Sequence, residues 1–189
     1  MKTNYEQLKI LLKTRLNEKR YIHSLAVADE AKRLAAMYGA DEEKAYLVGL
    51  LHDITKNAPE EEHLNIFNSF DIILNDIEKK AFKLWHAISG AAYVENILKI
   101  SDREIIDAIR YHTTAKADMS LLAKILYLAD FTSADRDYDD VDIIREYVNS
   151  SLEKAFIYAL EYSITDLVNN KKAVHLDTIC AFNQAILGG

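Results

Sequence analysis

The sequence contains very few residues that interrupt or cross-link helices. Among its 189 residues are one proline, five glycines and one cysteine. Because proline removes a helical hydrogen bond and glycine weakens a helix, their scarcity favours an all-α chain. A lone cysteine excludes an internal disulfide, which is typical of a reducing compartment. We predict that this residue, Cys180, packs in the core.

The sequence also lacks a long apolar run and an excess of positive charge. No stretch approaches the roughly 20 apolar residues that cross a bilayer, and the start, MKTNYEQLK, does not look like a signal peptide. The net charge of −7 argues against binding a nucleic-acid backbone, which needs clustered Lys and Arg. We therefore expect a cytoplasmic protein with no nucleic-acid or membrane partner. Neither a repeat nor a linker occurs, so residues 1–189 should form a single domain.

Helix start and stop signals recur along the chain. The predicted signals are Thr3 with Glu6, Gly39, Asp41, Pro59, residues 101–104, Ser120 and Asp177 with Thr178. The apolar pattern also predicts one helix over about 76–98 and a helical segment over about 141–168. No Asn-Gly or Asp-Gly hairpin turn occurs, so the strand signal is weak.

Six histidine and aspartate side chains stand in mostly apolar helical surroundings. They are His23, His52, Asp53, His86, His112 and Asp130. Burying such groups is costly unless they are paired, hydrogen-bonded or bound to a metal. Imidazole nitrogen and carboxylate oxygen together suit iron, manganese, zinc or cobalt. A single histidine on an apolar helix is more often a satisfied core residue, so it is the concentration of these six that favours a metal site.

The order of these residues resembles that in the HD-domain superfamily of metal-dependent phosphohydrolases. The segments that carry the likeness are RYIHSLAV (20–27), GLLHDITK (49–56), LWH (84–86), AIRYHTT (108–114), ILYLAD (125–130) and VHLDT (174–178), with Asn183 near the end. Within that superfamily the chain is similar to the branch of symmetrical diadenosine tetraphosphatases, and the likeness covers nearly its whole length. The chain departs from the family at Ala115 and Leu176, where glycine and proline are common.

The resemblance implies an all-α HD-domain helical bundle with a metal site in a cleft between helices. It implies two divalent metal ions, iron first, with manganese, cobalt, zinc or magnesium as alternatives. One ion would be held by His23, His52, Asp53 and Asp130, and the other by His86 and His112, with Asp53 bridging. Metal-activated hydroxide would cleave a small-molecule nucleotide, diadenosine tetraphosphate, symmetrically to two ADP, because a metal lowers the pKa of water from about 16 towards about 7. A homodimer is a further expectation from the likeness.

Other side chains are candidates for contacts with the substrate. Lys56 follows His52 by four residues, so both share a face if the helix continues, and we expect Asp53 and Lys56 to be catalytic. Arg136 is a candidate bidentate phosphate clamp, with a surface ion pair to a nearby aspartate in its own segment as the alternative. Further candidates for substrate contact are Arg20, Thr113, Thr114 and His175. By contrast, His63 lies in an acidic stretch and is expected to be exposed.

Two other functions stay open at the level of the sequence. The first is another HD-type hydrolase, which would act on a nucleoside monophosphate or a different nucleotide and would be separated by its products. The second is a non-catalytic regulatory module that binds a metal or a nucleotide. The complete set of six candidate ligands argues against the second, because a module without catalysis need not retain all of them.

Overall fold

The computed structural model describes residues 4–188 and folds them into helices joined by turns. The helices are α1 (Tyr5–Arg15), α2 (Glu18–Tyr38), α3 (Glu42–Leu51), α4 (Glu60–Ser69), α5 (Asp76–Lys80), α6 (Trp85–Asn96), α7 (Arg103–Tyr111), α8 (Leu121–Thr132), α9 (Val141–Ser150), α10 (Leu152–Asn169) and α11 (Leu176–Leu187). A short 3-10 helix (Phe82–Leu84) leads into α6. Within residues 4–188 no strand occurs, which confirms the predicted all-α class.

Most of the predicted helix signals have the expected local geometry. The side chains of Asp41, Asp102 and Ser120 accept backbone N–H groups at the starts of α3, α7 and α8. Pro59 directly precedes α4, and Gly39 ends α2 with a φ of 75°, a value that favours glycine. Of the predicted Thr3–Glu6 pair, Thr3 lies outside the described residues.

The prediction of one helix over 76–98 is wrong. The chain leaves the helical conformation at Ala81, and α5, the short 3-10 helix and α6 replace the single helix. Across this break, Trp85 Nε1 donates a hydrogen bond to the Glu78 carbonyl oxygen at 2.7 Å. The break needs no proline or glycine, because it is held by this contact between residues seven positions apart.

Two other predicted boundaries are also wrong. The helical segment over 141–168 is divided at Ser151, which has an extended φ of −160° and caps α10 through its side chain. The last helix begins at Leu176 with His175 as its cap, rather than at Asp177 and Thr178. In both places a polar side chain that was not predicted as a cap, Ser151 or His175, accepts a hydrogen bond from a free N–H group at the start of the helix.

The helix α8 forms the centre of the bundle. Its residues Leu122, Ile125, Leu126 and Leu128 are all 2% exposed or less, so the helix is buried on every side. Around it pack α2, α3, α7, α9 and α10, and α6 packs against α7. Because α8 ends beside the last turns of α3 and α7, residues far apart in the sequence meet at one end of the bundle.

The closest approach of α2 and α3 depends on Gly49. An added Cβ at this position would lie 2.5 Å from Cα of Ala28. A side chain of any kind is therefore excluded unless the two backbones move apart. This contact sets the separation between His23 on α2 and His52 at the end of α3.

Ala115, one of the two departures from the family pattern, lies in a turn with a left-handed backbone conformation. Ala115 has a φ of 55° and is fully buried. This left-handed conformation carries a steric cost for a residue with a Cβ atom, which glycine would avoid. The turn after α7 thus keeps the shape that glycine favours, although alanine occupies the position.

The single cysteine does not occupy the core. Cys180 is exposed on α11, so our prediction is wrong. That helix buries Thr178 and Ala181 instead, which lie on the other face. Separately, among the described residues no helix combines the length and apolar character that spanning a membrane requires.

Candidate metal centre

The six predicted side chains meet at one end of the bundle. His23 comes from α2, His86 from α6 and Asp130 from the last turn of α8, while the other three follow the ends of α3 and α7. His23 Nε2 lies 3.0 Å from Asp130 Oδ1. The ring centroid of His52 lies 5.3 Å from that of His23 and 5.0 Å from that of His112. The fold therefore joins residues that span more than a hundred positions in the sequence.

Asp53 lies at the middle of this cluster and is only 2% exposed. Its Oδ1 atom is 3.1 Å from His86 Nε2 and 3.7 Å from His112 Nε2, and its Oδ2 atom is 3.4 Å from His52 Nε2. One carboxylate thus contacts histidines from three different segments. This position suits a residue that bridges two cations.

Two overlapping sets of potential ligand atoms occur in the cluster. In each set the atoms lie within 4.8 Å of one another: the first is His23, His52 and Asp130, and the second is His52, Asp53 and His112. His86 Nε2 adjoins the second set, 3.2 Å from His112 Nε2. The resemblance assigns His52 to the first ion alone, whereas in the structure His52 belongs to both sets of ligand atoms.

Hydrogen bonds fix which nitrogen carries the proton in two of the four histidines, His52 and His112. His52 Nδ1 donates to the Gly49 carbonyl oxygen and His112 Nδ1 donates to the Ile109 carbonyl oxygen, both at 2.7 Å. A carbonyl oxygen can only accept, so the proton is on Nδ1 and the lone pair is on Nε2. Each Nε2 then points its lone pair into the cluster, which is the usual arrangement for histidine ligands of metals.

Several buried polar atoms in the cluster lack hydrogen-bond partners among the described residues. They are His23 Nε2, His52 Nε2 and Asp53 Oδ1. An unpaired buried polar atom is costly and uncommon in folded proteins. Two imidazole nitrogens and one carboxylate oxygen that are buried together without partners fit a divalent cation.

The protonation states are also those that bind a cation. Burial alone would raise the pKa of Asp53, but electrostatic attraction to the His52 ring and hydrogen bonds from the surrounding imidazoles hold this pKa well below its usual range. Burial likewise opposes ionisation of Asp130, but the contact with His23 and the charge of Arg136, together with the effect of His52, outweigh it, so the pKa of Asp130 is lowered as well. Burial lowers the pKa of His86 to about 4. Near neutral pH both carboxylates are charged and His86 is neutral.

Three basic side chains adjoin the cluster: Arg20, Lys56 and Arg136. Arg20 donates to Asp53 Oδ2 at 2.8 Å, and Lys56 Nζ lies 3.0 Å from His86 Nε2. The condition for a shared helical face with His52 is not met, because α3 ends at Leu51 and Lys56 follows in a turn. Burial lowers the pKa of this lysine.

Arg136 has a different partner from those in its own segment. It pairs with Asp130, through its guanidinium to the carboxylate and through Nε to the backbone carbonyl at 2.6 Å. The alternative of a surface ion pair is wrong. The guanidinium instead lies directly beside one of the candidate metal ligands.

The remaining candidates for substrate contact fall into two groups. Thr113 and Thr114 follow His112, and their hydroxyl groups are buried without a partner among the described residues. His175 is buried elsewhere, with Nε2 3.0 Å from Asn75 Nδ2 and Nδ1 accepting from the Asp177 N–H. The contacts of His175 therefore join α5 to α11, whereas the threonines lie next to the cluster.

Asp135 is a part of the centre that sequence reasoning missed. Its Oδ2 atom lies 2.8 Å from His23 Nδ1, and its Oδ1 atom accepts from the Ser133 hydroxyl at 2.8 Å. This contact places a carboxylate behind His23 and directs Nε2 towards Asp130. The segment holds four aspartates within six positions, 135–140, so the sequence shows acidic residues there but cannot select the one that faces His23.

We expect that Asp135→Ala lowers metal affinity by about 10- to 100-fold, the usual effect of losing a carboxylate that orients a histidine ligand. The measurement is a metal-binding titration of the variant against wild-type protein. Asp137→Ala is the matched control, because Asp137 is exposed in the same segment. Equal affinities for the two variants would contradict the orienting role.

His63 is buried, which corrects our expectation that it is exposed. It is 2% exposed, and its Nδ1 lies 2.8 Å from Ser89 Oγ, which in turn lies 2.8 Å from Thr55 Oγ1. Thr55 donates to the His86 carbonyl oxygen at 2.9 Å. The carbonyl oxygen can only accept, and each hydroxyl has one proton to donate. Thr55 therefore donates to the carbonyl, Ser89 donates to Thr55, and His63 Nδ1 donates to Ser89. Of the acidic neighbours of His63, Glu60 and Glu61 are exposed, and Glu62 is half-buried in an ion pair with Arg15.

The chain matches the HD domain family over residues 20–135. A Bacillus subtilis protein named bis(5'-nucleosyl)-tetraphosphatase, symmetrical, is 33% identical over 185 residues, which are 98% of this chain and 99% of that protein. A relative of the same name from Halalkalibacterium halodurans is 36% identical over 177 residues, or 94% of each chain.

A solved structure agrees with these matches. A Clostridium acetobutylicum protein, described as a predicted HD superfamily hydrolase involved in NAD metabolism, has a TM-score of 0.95 and 34% identity, with 99% of both chains covered. A family match over more than half of the chain and relatives above 30% identity over nearly all of it lead to the same conclusion. The chain belongs to the HD domain family of metal-dependent hydrolases.

Proposed function

We propose that this protein is a metal-dependent hydrolase that cleaves diadenosine tetraphosphate symmetrically to two ADP. The observation that carries the proposal is that relatives named symmetrical bis(5'-nucleosyl)-tetraphosphatases match this chain from end to end. The cluster around Asp53 supports it, because its oxygen and nitrogen donors are of the kind that phosphoanhydride hydrolysis needs for metal binding.

We propose further that the centre takes two divalent ions, with iron first and manganese, cobalt, zinc or magnesium as alternatives. The proposed ligands are His23, His52, Asp53 and Asp130 for one ion, and His86, His112 and the bridging Asp53 for the other. When bound, such ions lower the pKa of water and neutralise phosphate oxygens. The short distances from Asp53 to the imidazoles on both sides support its bridging role.

The basic and hydroxyl groups around the ligands are proposed to bind the phosphate chain. Arg20 and Arg136 each pair with a candidate metal ligand, so their guanidinium groups are held at the edge of the centre. A guanidinium can form two parallel hydrogen bonds to a phosphate. Lys56 adds an ammonium group between Asp53 and His86. The unpaired hydroxyls of Thr113 and Thr114 can donate to phosphate oxygens.

Metal removal tests the proposal directly. We expect iron-loaded, anaerobically purified protein to convert diadenosine tetraphosphate to ADP, and we expect a chelator to abolish this release until a divalent metal is restored. Product chromatography and metal analysis on the same sample provide the measurement. ATP with AMP as products would contradict symmetrical cleavage. Cleavage of simple nucleotides alone would favour another HD-type hydrolase, and no turnover of any nucleotide would favour the regulatory module.

A further inference from the structure

A cavity of 240 Å³ opens directly beside the metal centre. It is lined by Asp130, Phe131, Arg136, Tyr138 and Tyr162. Pockets that enclose a whole drug-sized ligand have roughly 300–1,000 Å³. This cavity is therefore suited to one part of a ligand whose remainder lies over the neighbouring centre.

Three aromatic rings line the cavity. The ring centroid of Tyr162 lies 5.5 Å from that of Tyr138 and 6.4 Å from that of Phe131. Tyr162 nevertheless remains 36% exposed, so part of its ring is accessible to a ligand. An accessible aromatic surface of this kind can stack on a planar, uncharged group.

The same cavity is also lined by two charged side chains. Arg136 and Asp130 form an ion pair there, and Asp130 also contacts His23 in the metal centre. The lining thus combines aromatic rings with charged groups. A nucleotide combines the matching parts, a flat base and charged phosphate groups.

The walls of the cavity are held in place before any ligand binds. Arg145 donates to the carbonyl oxygens of Thr132 at 3.2 Å, Ser133 at 3.0 Å and Arg136 at 3.1 Å. The Tyr138 hydroxyl donates to the Phe131 carbonyl oxygen at 3.1 Å. Because these bonds order the segment after α8, binding a base there costs little conformational entropy.

A larger cavity elsewhere lacks these properties. It has a volume of 460 Å³ and lies between α8, α10 and α11. Among the residues that the structure describes, its lining contains a single aromatic side chain, Phe156, which is only 2% exposed and so offers no accessible ring for stacking. None of the six candidate metal ligands lines it.

We infer that the cavity at Tyr162 binds the base of the nucleotide substrate, with the Tyr162 ring stacked on the base and Arg136 beside the phosphates. This inference rests on the proposed function, because it takes a nucleotide as the ligand. It adds a specificity-determining residue, Tyr162, which lies more than thirty positions after the last candidate metal ligand.

Calorimetric titration of the metal-loaded, full-length protein tests this inference. The probes are ADP and inorganic tripolyphosphate, which share phosphate groups but differ in the base. We expect Tyr162→Leu to weaken ADP binding at least about fivefold, the lower end for the loss of one base–aromatic stack. Tripolyphosphate binding should stay within about twofold, since it has no base to stack.

Two variants serve as matched controls. Tyr162→Phe keeps the ring and should bind ADP as wild-type protein does. Tyr147→Leu removes a tyrosine of nearly equal exposure, 38%, that lies on α9 outside this cavity, and it should also leave ADP binding unchanged. Where Tyr162→Leu does not fold, Tyr162→Met replaces it, with the same expected loss.

The outcomes separate this inference from the proposed function. Unchanged ADP affinity in Tyr162→Leu, or an equal loss of ADP and tripolyphosphate affinity, would overturn the base site. Because the titration needs no turnover, it remains informative if wild-type protein releases no ADP from diadenosine tetraphosphate. That second result would overturn the proposed function alone.

Discussion

Asp53→Asn is expected to lower the rate of ADP release by about 10³-fold or more, with loss of bound metal. The amide keeps the size of the side chain but removes the negative charge that faces imidazoles from three segments. Those imidazoles lie between 3.1 and 3.7 Å from the carboxylate oxygens. Without this charge, neither proposed ion has a bridging ligand. The measurements are turnover and metal content of the same preparation.

The control for this variant is Asp76→Asn. The Asp76 side chain is 96% exposed, and its ion-pair partner among residues 4–188 is Lys79, one turn away on α5. Surface pairs of this kind contribute about 0–1 kcal/mol, so neither activity nor metal content should change. An Asp53→Asn protein with a full metal complement and more than about a tenth of the wild-type rate would show that Asp53 is not the bridging ligand.

Gly49→Ala is expected to destabilise the protein by about 3 kcal/mol, at the upper end for overpacking. The new methyl group would lie 2.5 Å from Ala28 Cα and 2.9 Å from the Val27 carbonyl oxygen, so it meets backbone that cannot rotate away. Relief requires α2 and α3 to separate, which also displaces His23 from His52. Denaturant unfolding measures the loss of stability, and a metal titration measures the loss of ligand geometry.

Gly90→Ala is the matched control, because it adds the same methyl group within α6. There the nearest atom is Thr55 Oγ1 at 3.4 Å, followed by the His52 carbonyl oxygen at 3.7 Å, which are ordinary contacts. Alanine also favours the helix over glycine by about 1 kcal/mol. We therefore expect Gly90→Ala to be neutral or slightly stabilising. Equal unfolding free energies for the two variants would mean that the α2–α3 contact tolerates a side chain.

Local signals in the sequence predict helix ends well where the cap is close to its helix. Asp41 and Ser120 satisfy N–H groups two or three positions away, so the sequence contains both members of each contact. The break at Ala81 follows from a longer contact, between Trp85 and Glu78, together with the burial of Trp85. Apolar periodicity cannot detect such a break, because both sides of it keep a helical pattern.

The candidate ligands and the residues that support them differ in how visible they are in the sequence. Histidine and aspartate in apolar segments stand out by composition, and their order matches that of a known family. Asp135 and the Gly49 carbonyl oxygen support His23 and His52, yet neither stands out among its neighbours. Every residue has a carbonyl oxygen, and only the position of the helix end decides that this one faces a histidine.

His63 and Arg136 show that neighbours in the sequence do not determine burial or pairing. Both have acidic neighbours in the sequence, which favoured exposure for one and a surface ion pair for the other. The fold instead places His63 against Ser89 and Arg136 against Asp130. Burial depends on which face of a helix meets the core, and this is a long-range property.

The sequence by itself determined the helical class, most helix starts, the six side chains that meet at the centre and the family to which the chain is similar. Each of these depends on residue type or on spacing within a few positions. Only the tertiary structure decided that Asp135 lies behind His23, that Arg136 pairs with Asp130 and that Tyr162 lines a cavity beside them. These contacts join residues far apart in the chain, and the packing of α2, α3, α8 and α10 sets their distances.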